Sequence, residues 1–174
     1  MDLGDQFLFF VMVGLAAQLI DGALGMAFGL VSSSVLLSMG VPPAAVSASV
    51  HTAEVFTTGA SGVSHLAMRN VDRRLFLRLA VPGVVGGVIG AYVLASVDYS
   101  VARPFVMTYL TGIGFYLLYK AFTYPSDPLV KDPKLAAPLG LVGGFLDASG
   151  GGGWGPVVTS NLLIQGSDPR KTVD

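Results

Sequence analysis

Ser47, His51, Glu54, Thr58, Ser61 and His65 recur at intervals of four, three, four, three and four residues within SASVHTAEVFTTGASGVSH. On a helix that spacing puts all six on one face. His51 and Glu54 stand one turn apart, close enough to hydrogen-bond or to pass a proton. Either proton coupling or a static polar contact between helices accounts for them equally well. His65, nearer the end of the run, reads as a structural contact. One tight His–Glu pair, in a chain without cysteine, falls short of a metal-ligand set. Serine, histidine and acid types suited to hydrolysis are present, but no spacing marks an oriented nucleophile. We therefore expect His51 and Glu54 as proton-coupling residues, Thr52 beside them as a substrate contact, and no cofactor.

A second group is built from glycine. Residues 147–156 read DASGGGGWGP, and residues 21–30 read DGALGMAFGL. The two are copies: laying Gly14 onto Gly140, an offset of 126, aligns GLAAQLIDGALGMAFGLVSSSVLLSMGVPP with GLVGGFLDASGGGGWGPVVTSNLLIQGSDP without a gap. Asp21/Asp147, Gly25/Gly151, Gly29/Gly155, Gly40/Gly166 and Pro43/Pro169 coincide, and Phe28 meets Trp154. Such agreement indicates an internal duplication. Consecutive glycines break a helix, and their N–H groups, with the helix N-terminus that follows, suit an anion. Gly25, Gly29, Gly150, Gly151, Gly152, Gly153 and Trp154 are expected to line a substrate site. Asp21 and Asp147 are read as caps rather than pocket charges, since a carboxylate would oppose an anion there. Gly83, Gly86, Gly87 and Gly90 read as small residues for close helix packing.

The elements that must carry these groups are apolar. Of 174 residues, 52% are hydrophobic and only 12% charged, too few for a soluble shell. Mean hydropathy is +0.68. A net charge of −1 excludes nucleic acid as a partner, and zero cysteines exclude disulfides and thiolate chemistry. The opening MDLGDQFLFF has no basic residue, so its apolar run is expected to stay in the mature protein. Apolar runs cover residues 6–39, 44–68, 75–97, 101–122 and 135–165. The three middle runs each fit one crossing. The first, interrupted at Asp21-Gly22 and again by Gly25 and Gly29, is expected to form two half-length helices in a re-entrant hairpin.

Arg69, Arg73, Arg74 and Arg78 mark their loop as cytoplasmic, as do Lys120, Lys131 and Lys134 theirs. With both broken segments as hairpins, residues 1–6 and 40–43 lie outside and Arg170 and Lys171 inside, which inverts the two copies. The expected fold is all-α and integral to the membrane, with two inverted repeats each opening on a broken helix hairpin. The first repeat occupies residues 1–123 and a cytoplasmic linker 124–134. Residues 135–174 begin a second repeat, expected to be truncated, with the counterparts of His51 and Glu54 beyond Asp174.

IDGALGMAFG, SASVHTAEVFTTGASGVSHLAMRNVD and FLDASGGGGWGPVVTSNLL together resemble the TauE/SafE-type sulfite exporters, over nearly the whole chain. The resemblance implies a multi-pass carrier of the bacterial inner membrane, moving sulfite, organosulfonates or related small anions, and an anion pocket near the glycine motifs. The expected function is anion transport by alternating access, not enzymatic, with a homodimer as a possible assembly. A passive anion channel, a non-transporting fragment and an intramembrane enzyme are the alternatives.

Overall fold

The computed structural model describes residues 3–24, 27–123, 135–152 and 154–165, and among them every regular element is helical. In order these are α1 (Leu3–Leu24), α2 (Phe28–Ser38), α3 (Pro43–Ala67), α4 (Arg73–Ser96), α5 (Tyr99–Thr123) and α6 (Ala136–Gly150). A π-helical turn, Trp154–Thr159, then runs directly into α7 (Ser160–Ile164). Residues 124–134, read above as a linker, lie outside the described residues, as do Gly25, Gly153 and residues 166–174.

Helix boundaries follow local chemistry. Pro43 takes the first position of α3, where a missing N–H removes no bond. Asp72 caps α4, accepting from the N–H groups of Arg74 and Leu75. Residues 73–96 and 99–119 are long and apolar enough to cross a membrane. At 25 residues α3 is also long enough, but its polar stripe lowers its hydropathy. The large side chains of Phe56, Val63, Val84, Val88, Tyr92, Phe105 and Phe122 all face outward. Such a surface is soluble only in lipid.

The tightest packing joins α4 to α6. A Cβ on Gly86 would collide with the Leu141 carbonyl, one on Gly90 with that of Phe145, and one on Gly144 with that of Gly83. Backbone thus meets backbone along Gly83–Gly90, as the small-residue reading expects. Gly87 stands apart: a Cβ there would still be 3.7 Å from its nearest contact, Gly144 O. Two apolar clusters flank this seam. Leu37, Val46, Val50, Leu94, Ala102, Val106 and Leu110 join α2 to α5, while Leu79, Ala136, Val158 and Leu162 seat the second broken segment on α4.

The first break differs from expectation. α1 continues through Asp21-Gly22 to Leu24, so its 22 residues extend about 33 Å rather than half a membrane. The reason lies in Asp21: its carboxylate reaches forward across the break, and nothing at that residue forces the chain out of the helix. At the offset of 126, Leu24 and Gly150 correspond, and so do Phe28–Ser38 and Trp154–Ile164. Both copies therefore break at the same place.

Candidate functional site

Each break is closed by its own aspartate. Asp21 Oδ1 accepts from the N–H of Phe28 at 2.9 Å and from that of Ala27. Asp147 Oδ1 accepts from the N–H of Trp154 at 3.0 Å. The same bond recurs seven residues ahead in each copy. The capping role expected of both aspartates holds, though each acts from the last turn of the preceding helix, and against expectation both also line the cavity between the breaks. One consequence narrows the anion reading, because the first N–H of each following piece is already occupied. In the turn that opens α2, the N–H groups of Gly29 and Leu30 precede the first helical bond, from Val31 to Ala27. In the second copy Gly155 offers one, and Pro156 offers none.

α3 and α2 grip the C-terminal end of α6. Gly151 is left-handed (φ 70°) and its N–H bonds to the Asp147 carbonyl. Ser47 Oγ donates to Ala148 O at 2.7 Å, and Ser33 Oγ donates to Gly151 O at 2.8 Å. His51 Nε2 lies 3.2 Å from Asp147 O, and its Nδ1 lies 2.8 Å from Glu54 Oε2. Carbonyls at and just past the end of α6 are thus taken by side chains from two other helices.

Between these parts lies a cavity of about 410 Å³, lined by Asp21, Phe28 and Gly29 from the first break, His51, Glu54, Thr57 and Thr58 from α3, and Asp147, Gly152, Trp154 and Thr159 from the second. The structure therefore brings together Gly29, Gly152, Trp154, His51 and Glu54. A Cβ on Gly29 would stand 2.6 Å from Gly151 O and 3.0 Å from Glu54 Oε1, so the two breaks touch with no room to spare. Gly150 instead packs on the ring of Tyr109, and Gly151 turns toward Ser33. They shape the wall without lining it.

Thr52 is not part of the site: it is exposed, its hydroxyl donates to Ala48 O one turn back, and it does not line the cavity. One residue along a helix rotates a side chain by about 100°, which carries Thr52 off the face that His51 and Glu54 share. His65 lines a separate apolar groove between α3, α4 and the π turn, as a structural reading expects. Residue-by-residue reading missed Ser33, Thr57 and Thr159. Ser33 and Thr159 correspond at the repeat offset, both hydroxyl-bearing and both buried, which was the signal available.

His51, Glu54 and Asp147 present ligand-type atoms within 4.8 Å of one another. Yet His51 Nδ1 is spent on Glu54 and Asp147 Oδ1 on Trp154, so the set is satisfied internally.

Apolar, outward-facing helices around a cavity closed by two equivalent broken segments fit a helical membrane protein. The chain belongs to the sulfite exporter TauE/SafE family, whose model matches residues 10–174. It is 45% identical over 175 residues to the probable membrane transporter protein YtnM of Bacillus subtilis (strain 168), an alignment covering 97% of this chain and 58% of that protein. The chain thus spans a little over half the length of this relative. No solved structure gives a significant match.

Proposed function

We propose that the cavity between the breaks binds a small oxyanion, sulfite or an organosulfonate, and that the protein carries it across the bacterial inner membrane by alternating access. The observation that supports this is the meeting of the two breaks at Gly29 and Gly151–Gly152, in the first turn of α2. Glycine there leaves backbone donors open to a ligand in a setting where water is scarce and hydrogen bonds count for more. Phe28 and Trp154 wall the cavity from corresponding positions, as expected if two inverted repeats meet near the midplane. The name of the matching family, sulfite exporter, motivates the substrate class.

Trp154 is the single tryptophan of the chain and lines this cavity, so its fluorescence is a built-in probe. Titrating sulfite or methanesulfonate against the protein in nanodiscs should change that fluorescence saturably, and Gly151→Val should abolish the change. A flat signal to millimolar concentration, or an unaltered response in Gly151→Val, would overturn the reading.

A further inference from the structure

We propose that the His51–Glu54 pair is a proton site: it holds one exchangeable proton between Nδ1 and Oε2, and the cavity beside it accepts its anion only while that proton is in place. Proton and anion then move together, in the same direction. This rests on the anion reading above and adds the coupling ion and its position.

Hydrogen-bond bookkeeping places the proton. The Asp147 carbonyl can only accept, so the Nε2 that faces it at 3.2 Å must carry hydrogen. That leaves Nδ1 to face Glu54 Oε2 at 2.8 Å. With no proton on either atom, a ring lone pair would point at a carboxylate oxygen at hydrogen-bond distance, which is repulsive. One proton turns the same contact into a charge-assisted bond, whichever atom holds it. The protonated pair is neutral overall, and the deprotonated pair carries one negative charge.

That charge would arise where it matters. Glu54 Oε1, the other oxygen of the same carboxylate, lies against Gly29 in the first turn of α2, at the helix end that favours an anion. The other titratable groups facing the pair are Asp147, whose Oδ2 is 3.9 Å from His51 Nδ1, Asp21 across the cavity, and the Tyr109 phenol beneath Gly150 on α5. The carboxyl groups of Asp21 and Asp147 are fixed by the backbone bonds they accept. Among the described residues lining the cavity there is neither lysine nor arginine, so no permanent cation offsets an added negative charge. The His51–Glu54 proton is therefore the adjustable charge of the cavity. It also has a mechanical reach: losing it frees the imidazole whose Nε2–H holds the end of α6, loosening the grip of α3 on the second break.

The test uses methanesulfonate, which stays fully ionised throughout, and Trp154 fluorescence in nanodiscs. The apparent Kd should be flat at low pH and then rise about tenfold per pH unit once the pair loses its proton, as linkage of one proton to one anion requires. Glu54→Gln, whose amide donates to Nδ1 without bearing charge, should bind with a Kd independent of pH. His65→Gln, outside the cavity, should keep the wild-type profile. Independently of any anion, ¹⁵N-histidine NMR should show His51 Nε2 protonated throughout and a single titration step at Nδ1 that Glu54→Gln removes. A wild-type pH slope retained in Glu54→Gln, or no slope where binding is seen, overturns the linkage. Failure of methanesulfonate and sulfite to bind at any pH sinks the anion reading and the linkage with it. The NMR step, by its presence or absence, then decides the proton site on its own.

Discussion

Gly29 is the residue on which both breaks converge. A methyl group there would sit 2.6 Å from Gly151 O and 3.0 Å from Glu54 Oε1, and neither the backbone nor a bonded carboxylate yields easily. Gly29→Ala should therefore weaken methanesulfonate binding at least about tenfold and cost about 1–3 kcal/mol of stability through overpacking. Gly59→Ala, with nothing within 4 Å of the added carbon, should change neither. Both are read from Trp154 titrations and thermal melts in the same nanodiscs. The convergence was half legible. Two copies of one glycine motif told that Gly29 and the 150–153 run belong together, because identity at a fixed offset survives without knowing any angle. Which glycine faces the cavity depends on rotations around Gly150–Gly152 that composition leaves free. So Gly150 was expected in the lining and is found against Tyr109 instead. Thr52 failed for a related reason, since neighbours in sequence stand about 100° apart around a helix.

At the scale of elements, a broken helix survives only if its cut ends are satisfied, and here three of the four ends have a named partner. The N-terminal ends are held by Asp21 and Asp147, the C-terminal end of α6 by Ser33, Ser47 and His51. Asp147→Ala should destabilise by about 1 kcal/mol, in the usual 0.5–2 range for a lost cap, and hydrogen exchange at the Trp154 amide should quicken. Asp147→Asn keeps an acceptor oxygen and should restore most of that protection. An amide equally protected in Asp147→Ala would deny the aspartate its role. The α4–α6 seam makes a second, sharper distinction. Gly86→Ala drives a methyl into the Leu141 carbonyl and should lower the melting temperature or prevent insertion, whereas Gly87→Ala, with 3.7 Å to its neighbour, should be tolerated. Spacing alone assigned all four glycines of residues 83–90 to packing; it had no means of ranking them. The position of the first break was likewise displaced, because Asp21-Gly22 looks like a stop in isolation. A carboxylate that finds its partner seven residues later leaves the helix intact to Leu24.

For the whole molecule, the two copies, which break alike, are expected to face opposite sides of the membrane. Hydropathy and arginine placement give a definite arrangement. If residues 69–74 are cytoplasmic and α3, α4 and α5 each cross, then residues 39–43 and 97–100 are outside and the 124–134 stretch is inside. The length of α1 sharpens the problem: about 33 Å is enough to cross outright, in which case the first segment would not return to its starting face. The charge rule favours return, since a single crossing would put the two copies in the same sense and place Arg170 and Lys171 outside. The chain has no cysteine, so each position can be asked separately with one introduced thiol and a membrane-impermeant maleimide. Met39→Cys, whose native side chain is about half exposed, and Ser100→Cys should label from the periplasmic side of intact spheroplasts, while Val71→Cys should label only after the membrane is opened. Asp2→Cys decides between the two forms. Labelling alongside Met39→Cys makes the first segment a hairpin, the form that inversion of the repeats requires. Labelling alongside Val71→Cys makes α1 and α2 one interrupted crossing, and a shared midplane site would then have to be built without inversion. The first outcome is the expected one, because a second segment folded alike keeps Arg170 and Lys171 on the cytoplasmic face with the arginines and lysines of residues 69–78 and 120–134.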